Sequence, residues 1–128
     1  MLLVDTSVVF DYTRSADPAM LAIFQAEYAT ITGIIRAEVL HGTRDPRPRA
    51  RLIAALDSFR QENIPPALWD QVGDYLAALR AQGISVPFND VAIAALAIQL
   101  GVELWTRDQQ FSLIQSVLSG LRLYRPGP

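Results

Sequence analysis

The sequence contains no cysteine, no lysine and a single histidine. Without cysteine, the chain can form neither a disulfide nor a thiolate metal site, so a bound metal has to be held by oxygen or by His41. Oxygen ligands favour a hard cation such as Mg²⁺ or Mn²⁺. Without lysine, a phosphate-loop ATPase and a Schiff-base enzyme are excluded. All eleven basic residues are therefore arginine.

Long hydrophobic runs and strong charge are also lacking. The longest apolar run, 91–98, is far shorter than the roughly 20 residues that span a bilayer, so we expect no membrane span, no signal peptide and a cytoplasmic protein. The net charge of −2 gives no general attraction to nucleic acid, so a nucleic-acid function has to depend on a local site. A length of 128 residues predicts one domain, 1–128.

Short apolar segments alternate with segments of helical periodicity along the whole chain. We predict strands at 2–4, 29–31, 64, 102–106 and 121–124, and helices at 8–12, 19–28, 33–41, 49–60, 68–82, 89–100 and 109–117. Thr6 or Ser7 is expected to cap the first helix and Asn89 to cap the helix that Gly101 ends. The alternation predicts an α/β fold with three layers, α/β/α, around a central, mainly parallel sheet of about four to five strands.

Two aspartates stand where apolar strand segments stop. Asp5 follows the first predicted strand and Asp108 follows the segment 102–106. In parallel sheets the functional crevice lies at the carboxyl ends of the strands, so these positions favour a site. Either residue alone is also an ordinary turn or cap residue.

Two further acids lie on apolar helices. Helical spacing places Glu38 against the stripe that contains Ile34 and Ile35, where an unpaired carboxylate needs a cation, hydrogen bonds or a proton unless it reaches the surface. Asp90 occupies the first turn of the helix after Asn89, and a cap at Asn89 leaves the carboxylate of Asp90 free.

If the four acids converge, their mutual repulsion raises their pKa values unless a divalent cation neutralises them. One or two Mg²⁺ or Mn²⁺ ions held by carboxylates can lower the pKa of a water, orient it for attack on phosphorus and stabilise the leaving oxygen. This is the chemistry of a metal-dependent nuclease.

Three strings in this order resemble the PIN-domain family, specifically its VapC-type toxins: LLVDTSVVFDY, ITGIIRAEVLHG and FNDVAIAALAIQLGVELWTRDQQF. The resemblance spans nearly the whole chain. It implies a PIN-like nuclease domain whose catalytic, metal-holding residues are Asp5, Glu38, Asp90 and Asp108. Ser7 matches the hydroxyl position of the family and is expected to help orient the metal shell. The family often has a further acid where this chain has Gln110, which puts a fifth ligand or a firmly bound second metal in doubt.

The resemblance also implies a biological role. It predicts an endoribonuclease that uses Mg²⁺ or Mn²⁺, cleaves RNA through metal-activated water and acts as the toxin of a toxin–antitoxin pair that inhibits translation. The implied partners are the RNA substrate, a cognate VapB-type antitoxin and a second copy of the chain in a homodimer. Half the residues are hydrophobic (51%), which agrees with an apolar partner surface.

Arginines near the acids are the remaining candidates. The one local basic cluster contains four arginines that could contact RNA phosphates, although a solvated helix start explains it as well: Arg44, Arg47, Arg49 and Arg51. Arg107 is either a phosphate ligand or a structural partner for a neighbouring carboxylate.

Two other functional classes can carry acids at such positions. A phosphatase of the haloacid-dehalogenase kind needs a second aspartate where Ser7 stands, and both it and a receiver domain use a lysine that this chain lacks. A catalytically weak module that mainly binds a protein or RNA partner is the alternative from a different class, and removal of the acids would leave its function intact.

Overall fold

The computed structural model describes residues 1–127, and within them a parallel sheet of four strands forms the centre of the molecule. The strands are β1 (Leu2–Val4), β2 (Ala29–Thr32), β3 (Arg60–Glu62) and β4 (Leu104–Trp105), in the spatial order β3-β2-β1-β4. The helices are α1 (Thr6–Ser15), α2 (Pro18–Ala26), α3 (Gly33–His41), α4 (Pro46–Asp57), α5 (Leu68–Ala81), α6 (Phe88–Leu100) and α7 (Gln110–Val117).

The centre of the sheet is β1, which pairs with β2 on one side and β4 on the other. Leu3 is aligned with Thr30 of β2 and with Leu104 of β4, and all three side chains are fully buried. Strands buried on both faces are typical of parallel sheets that helices cover on either side. The predicted three-layer α/β/α architecture is therefore confirmed.

Helix α6 is buried on almost every side. Its residues from Asp90 to Ala97 are all buried, and α6 packs against both α5 and α7. A helix that is apolar all round belongs in the interior of a fold, so the chain places Asp90 at the buried beginning of its most enclosed helix.

Several predicted boundaries are confirmed. The helix predicted at 33–41 is α3 with the same ends. Gly101 follows α6 with a φ of 66°, a left-handed conformation that glycine adopts without steric cost, and it ends the helix as expected. The predicted strand at 2–4 is β1.

Both predicted helix caps are wrong. Asp5 is the cap residue of α1, while Thr6 and Ser7 lie inside the helix. Helix α6 begins directly after Pro87, whose carbonyl accepts hydrogen bonds from the amides of Asp90 and Val91, so Asn89 is already helical. Asn89 therefore does not cap α6, and a cap at Asn89 is not what leaves the carboxyl of Asp90 free to take part in a site.

Two predicted strands are also wrong. The third strand is Arg60–Glu62 rather than Ile64, and the residues of this edge strand are mostly exposed, so it has no apolar signal. The segment 121–124 contributes only a single parallel bridge, between Leu123 and Leu104. The predicted helix 49–60 begins earlier, at Pro46, because the Asp45 side chain accepts a hydrogen bond from the amide of Arg47 and caps it.

The described residues were also searched for membrane-spanning helices, and none of the helices in 1–127 is long and apolar enough to cross a bilayer.

Candidate active site

Asp5 lies at the carboxyl end of the central strand, between β1 and α1. Its amide donates a hydrogen bond to the carbonyl of Trp105 on the neighbouring strand β4, and its side chain is 5% exposed. Oδ2 of Asp5 accepts two hydrogen bonds, from Ser7 Oγ at 2.9 Å and from Thr106 Oγ1 at 2.8 Å. The carboxylate of Asp5 is therefore held in orientation by α1 and by the residue that follows β4.

The two hydroxyl groups also hold the segment that follows β4. Ser7 Oγ accepts a hydrogen bond from the amide of Arg107 and Thr106 Oγ1 accepts one from the amide of Asp108, each at 3.0 Å. A hydroxyl can donate one hydrogen bond while it accepts others, which makes both roles compatible. We call this group of Asp5, Ser7, Thr106 and the two amides the hydroxyl clasp, and it joins the first acid of the predicted quartet to the last.

Glu38 approaches the clasp from α3. Its side chain is partly buried, and its Oε1 accepts a hydrogen bond of 3.2 Å from Thr6 Oγ1. Burial raises the pKa of Glu38 and the charges of Asp5 and Asp108 raise it further, whereas the Thr6 hydrogen bond and His41 oppose the rise.

Asp90 is the most strongly perturbed of the acids. Its side chain is 7% exposed, and burial together with the charges of Asp5, Asp108 and Glu38 raises its pKa to about 7. Among residues 1–127 no hydrogen bond to its carboxyl is present to offset the burial. The three named charges act on Asp90 together, so the four acids share one electrostatic environment.

Asp108 is the exposed member of the set. Its Oδ1 accepts a hydrogen bond of 2.9 Å from the amide of Gln110, the first residue of α7. At the position where the family often has a further acid, this chain therefore uses the backbone of Gln110 to orient Asp108.

The acids are near one another but are not gathered around a single point. Within residues 1–127, no three or more Asp, Glu, His or Cys side chains are placed so that they could hold a metal ion. Like charges favour separated carboxylates, and only a cation between them reverses that preference. The donors are nevertheless all carboxylate oxygens, which is the chemistry that a hard cation prefers.

The predicted phosphate-binding arginines fall into two groups in the part of the chain that the structure describes, four without an ion pair and one with an acidic partner. Four of them are exposed on the loop before α4 and on its first turns, and no ion pair within residues 1–127 joins them to an acid: Arg44, Arg47, Arg49 and Arg51. Arg107 does have such a partner, because its Nε lies 2.7 Å from Oδ2 of Asp11. This contact supports the structural alternative for Arg107.

Sequence reasoning missed the site contacts of Thr6 and Thr106. Thr6 was expected only as a cap, although it stands beside Asp5 in the sequence. The sequence predicts Thr106 only as the last residue of a strand, although a hydroxyl two residues before Asp108 at a strand end indicates a contact with the site. Their partners lie 32 and 101 positions away, so the pairing itself required the fold.

Known proteins resemble the chain along most of its length. The PIN domain family matches residues 2–116. Ribonuclease VapC11 of Mycobacterium tuberculosis is 30% identical over 125 residues, which cover 91% of this chain and 93% of that protein.

Solved structures share the fold. The DNA-bound VapBC complex of Salmonella typhimurium superposes with a TM-score of 0.80 at 18% identity and 96% coverage of both chains. VapBC-5 of M. tuberculosis, a member of the VapBC family of toxin–antitoxin systems, superposes with a TM-score of 0.70 at 20% identity and 97% coverage of both chains. The chain therefore belongs to the PIN-domain family, within its VapC group.

Proposed function

We propose that the chain is a metal-dependent endoribonuclease, a hydrolase of RNA phosphodiester bonds, and that residues 1–128 form a single nuclease domain. The observation that carries the proposal is the electrostatic coupling of Asp90 to Asp5, Glu38 and Asp108 at the carboxyl end of the sheet. Four coupled acids without a neutralising cation oppose folding, and a bound cation would offset that cost. The relative named ribonuclease, VapC11, supports the same reaction class.

Mg²⁺ or Mn²⁺ is the proposed cofactor, held by the same four acids. A buried carboxyl with a raised pKa, under the charges of three other carboxylates, fits a hard cation. When bound, such a cation would supply neutralising charge and lower the pKa of a bound water for attack on phosphorus. Asp5, Glu38, Asp90 and Asp108 would hold the cation through their carboxylate oxygens, and its charge would offset their mutual repulsion.

The surrounding side chains orient the acids. Ser7 and Thr106 both donate to Oδ2 of Asp5, so Oδ1 remains the oxygen of Asp5 without a hydrogen bond within residues 1–127. Thr6 holds one oxygen of Glu38 in the same way. Such hydrogen bonds restrict the rotamers of Asp5 and Glu38 before a metal binds. They leave the other oxygen of each carboxylate available to the metal.

The RNA backbone needs positive charge that the acids do not supply. In this proposal the exposed arginines bind phosphates beside the acids, and Arg107 joins them when its contact with Asp11 opens: Arg44, Arg47, Arg49, Arg51 and Arg107. Arginine binds phosphate through two parallel N–H donors, which suits this role.

We further propose that the protein is a toxin that inhibits translation in the cytoplasm. Its partners in this proposal are a cognate VapB-type antitoxin and a second copy of the chain. The supporting observation is the likeness to VapBC complexes, one of which belongs to a toxin–antitoxin family. Growth after expression with and without the antitoxin gene tests this role: arrest that needs Asp90 and that the antitoxin relieves is the expected result.

The decisive experiment is cleavage of total cellular RNA by the purified protein. The lanes contain Mg²⁺, Mn²⁺ or EDTA, with Asp90→Ala as the site variant and Asp74→Ala, an exposed acid on α5, as the matched control. Discrete fragments that need both the metal and Asp90, and that persist with Asp74→Ala, are expected. Identical RNA patterns in all lanes would instead favour a catalytically weak module that binds a protein or RNA partner.

A further inference from the structure

An open cleft lies directly beside the acidic site. It has a volume of about 590 Å³ and is lined by Asp108, Gln109, Gln110, Ser112, Leu113 and Arg125. This volume is within the range of about 300–1,000 Å³ that small-molecule sites occupy. We call it the α7 cleft, because all of its lining residues except Arg125 belong to α7 or to the two residues before it.

The α7 cleft and the acids share a wall. Asp108 lines the cleft and also acts electrostatically on Asp90 and Glu38. The hydrogen bond between the Gln110 amide and Oδ1 of Asp108 fixes that carboxyl at the boundary. The cleft and the acidic site therefore share the side chain of Asp108.

Arg125 is brought to the same end of the sheet by the direction of the C-terminal segment. Leu123 forms a parallel bridge with Leu104 of β4, and the amide of Tyr124 donates to the carbonyl of Leu104 at 2.8 Å. Because this segment runs parallel to β4, Arg125 lies toward the carboxyl end of that strand, where Asp108 also lies. The guanidinium of Arg125 is in none of the ion pairs within residues 1–127.

The lining of the cleft matches a nucleotide. The side chains of Gln109 and Gln110 are exposed, and each amide offers both donors and an acceptor, as the edge of a base requires. Leu113 is 51% exposed and offers an apolar surface against which a base can lie. Arg125 adds the positive charge that a phosphate requires.

We propose that the α7 cleft binds the nucleotide of single-stranded RNA next to the scissile phosphate, with its base against Leu113 and Gln109 and its phosphate at Arg125. This inference rests on the proposed ribonuclease function and adds to it a subsite that contributes to affinity and to the choice of cleavage position. Bases of single-stranded RNA are free to lie in such a cleft, whereas those of a duplex are stacked and paired.

Binding to a labelled single-stranded oligoribonucleotide of mixed sequence tests the inference without requiring catalysis. The variants are Arg125→Gln, Leu113→Ser and Gln109→Ala, all at exposed positions, and they are compared with the wild type. Arg60→Gln is the matched control, since Arg60 is exposed on β3, at the opposite edge of the sheet from β4. Thermal unfolding checks that each variant is folded.

We expect Arg125→Gln to weaken RNA binding about fivefold to twentyfold and to reduce the slope of log affinity against log salt by about 0.7, the loss of one phosphate contact. Leu113→Ser is expected to weaken binding about threefold to tenfold with an unchanged slope. In the cleavage assay, Gln109→Ala is expected to change the distribution of cleavage positions.

The inference is overturned if Arg125→Gln and Leu113→Ser bind RNA as tightly as the control Arg60→Gln. A cleft that binds a protein partner instead of RNA would give this result. A wild-type protein that binds RNA through Arg125 but cleaves none would support the cleft and reject the proposed ribonuclease activity. If the wild type and every cleft variant cleave RNA at the same positions and with the same KM, the ribonuclease activity is supported and the cleft subsite is rejected.

Discussion

The hydroxyl of Thr106 donates a hydrogen bond of 2.8 Å to Oδ2 of Asp5, 101 positions away in the sequence. The same hydroxyl accepts a hydrogen bond from the amide of Asp108. The side chain of Thr106 therefore holds both the carboxylate of Asp5 and the backbone of Asp108. The position of Asp108 relative to Asp5 therefore depends on a hydroxyl that is not itself charged.

Replacement of Thr106 by valine removes that hydroxyl and keeps the shape of the side chain. We expect Thr106→Val to lower kcat for RNA cleavage about tenfold to a hundredfold, as is typical when a group that orients metal ligands is lost. The free energy of unfolding should fall by about 1–2 kcal/mol, because the Asp5 carboxylate loses a hydrogen bond in a buried setting. Single-turnover kinetics and urea unfolding measure the two effects.

Thr106→Ser is the matched control, since it keeps the hydroxyl and removes only a methyl group. It should retain most of the wild-type kcat. Equal losses in the serine and valine variants would show that packing rather than the hydrogen bonds is responsible.

The raised pKa of Asp90 makes the stability of the metal-free protein depend on pH. Between the ordinary value of 3.8 and about 7, the folded state keeps the proton on Asp90 while the unfolded state has lost it, so the free energy of unfolding falls as the pH rises. In EDTA, Asp90→Asn removes this dependence, and we expect the variant to be about 2–4 kcal/mol more stable than the wild type at pH 8.

Near pH 4 the two proteins should be equally stable, because Asp90 is then largely protonated in the folded state and partly so in the unfolded state. Urea unfolding at pH 4, 6 and 8 provides the comparison. An equal difference in stability at all three pH values would contradict the assignment of the effect to Asp90.

A divalent cation should stabilise the folded protein through the acids. At a concentration one hundred times its dissociation constant, Mn²⁺ is expected to add about 2.7 kcal/mol to the free energy of unfolding. Thermal unfolding should show this as a rise of about 5–10 °C in Tm, strongly reduced in Asp5→Asn. Asp74→Asn is the control, and the same rise in Asp5→Asn as in the wild type would place the bound ion elsewhere.

The ion pair between Arg107 and Asp11 separates the two roles considered for Arg107. Both side chains are partly exposed, so Asp11→Asn should change the free energy of unfolding by less than about 1 kcal/mol. If Arg107 also binds RNA phosphate, Arg107→Gln raises KM about threefold to tenfold, whereas Asp11→Asn lowers or preserves KM by freeing the guanidinium. Equal effects of the two variants on KM would assign Arg107 to the ion pair alone.

The sequence was most informative where local chemistry and tertiary structure agree. The strand that ends at Asp5, the ends of α3 and the stop at Gly101 all followed from apolar periodicity and backbone preference. Position on a strand end or an apolar helix indicates each of the four acids separately: Asp5, Glu38, Asp90 and Asp108. The family resemblance implies that they form one set. Their electrostatic coupling in the structure agrees with that selection, while their roles in catalysis remain proposals.

The sequence was least informative where distant partners decide the outcome. The exposed strand β3 forms because its backbone pairs with β2. Its side chains are all polar, so no apolar alternation predicts a strand there. Asn89 is a good cap residue in isolation, but the carbonyl of Pro87 accepts the first helical amides and moves the helix start. The contacts of Thr6 and Thr106 with the acids depend in the same way on the packing of separate elements.

The pairing of β4 with β1 also fixes when the site comes into existence during synthesis. A ribosome that has made Asp5, Glu38 and Asp90 has not yet made β4 or Thr106 and Asp108, which follow it. Contacts between residues so far apart form late, after the intervening chain has been ordered. The nascent chain therefore has no assembled acidic site until these residues have been made, and synthesis interrupted before them releases fragments that lack one.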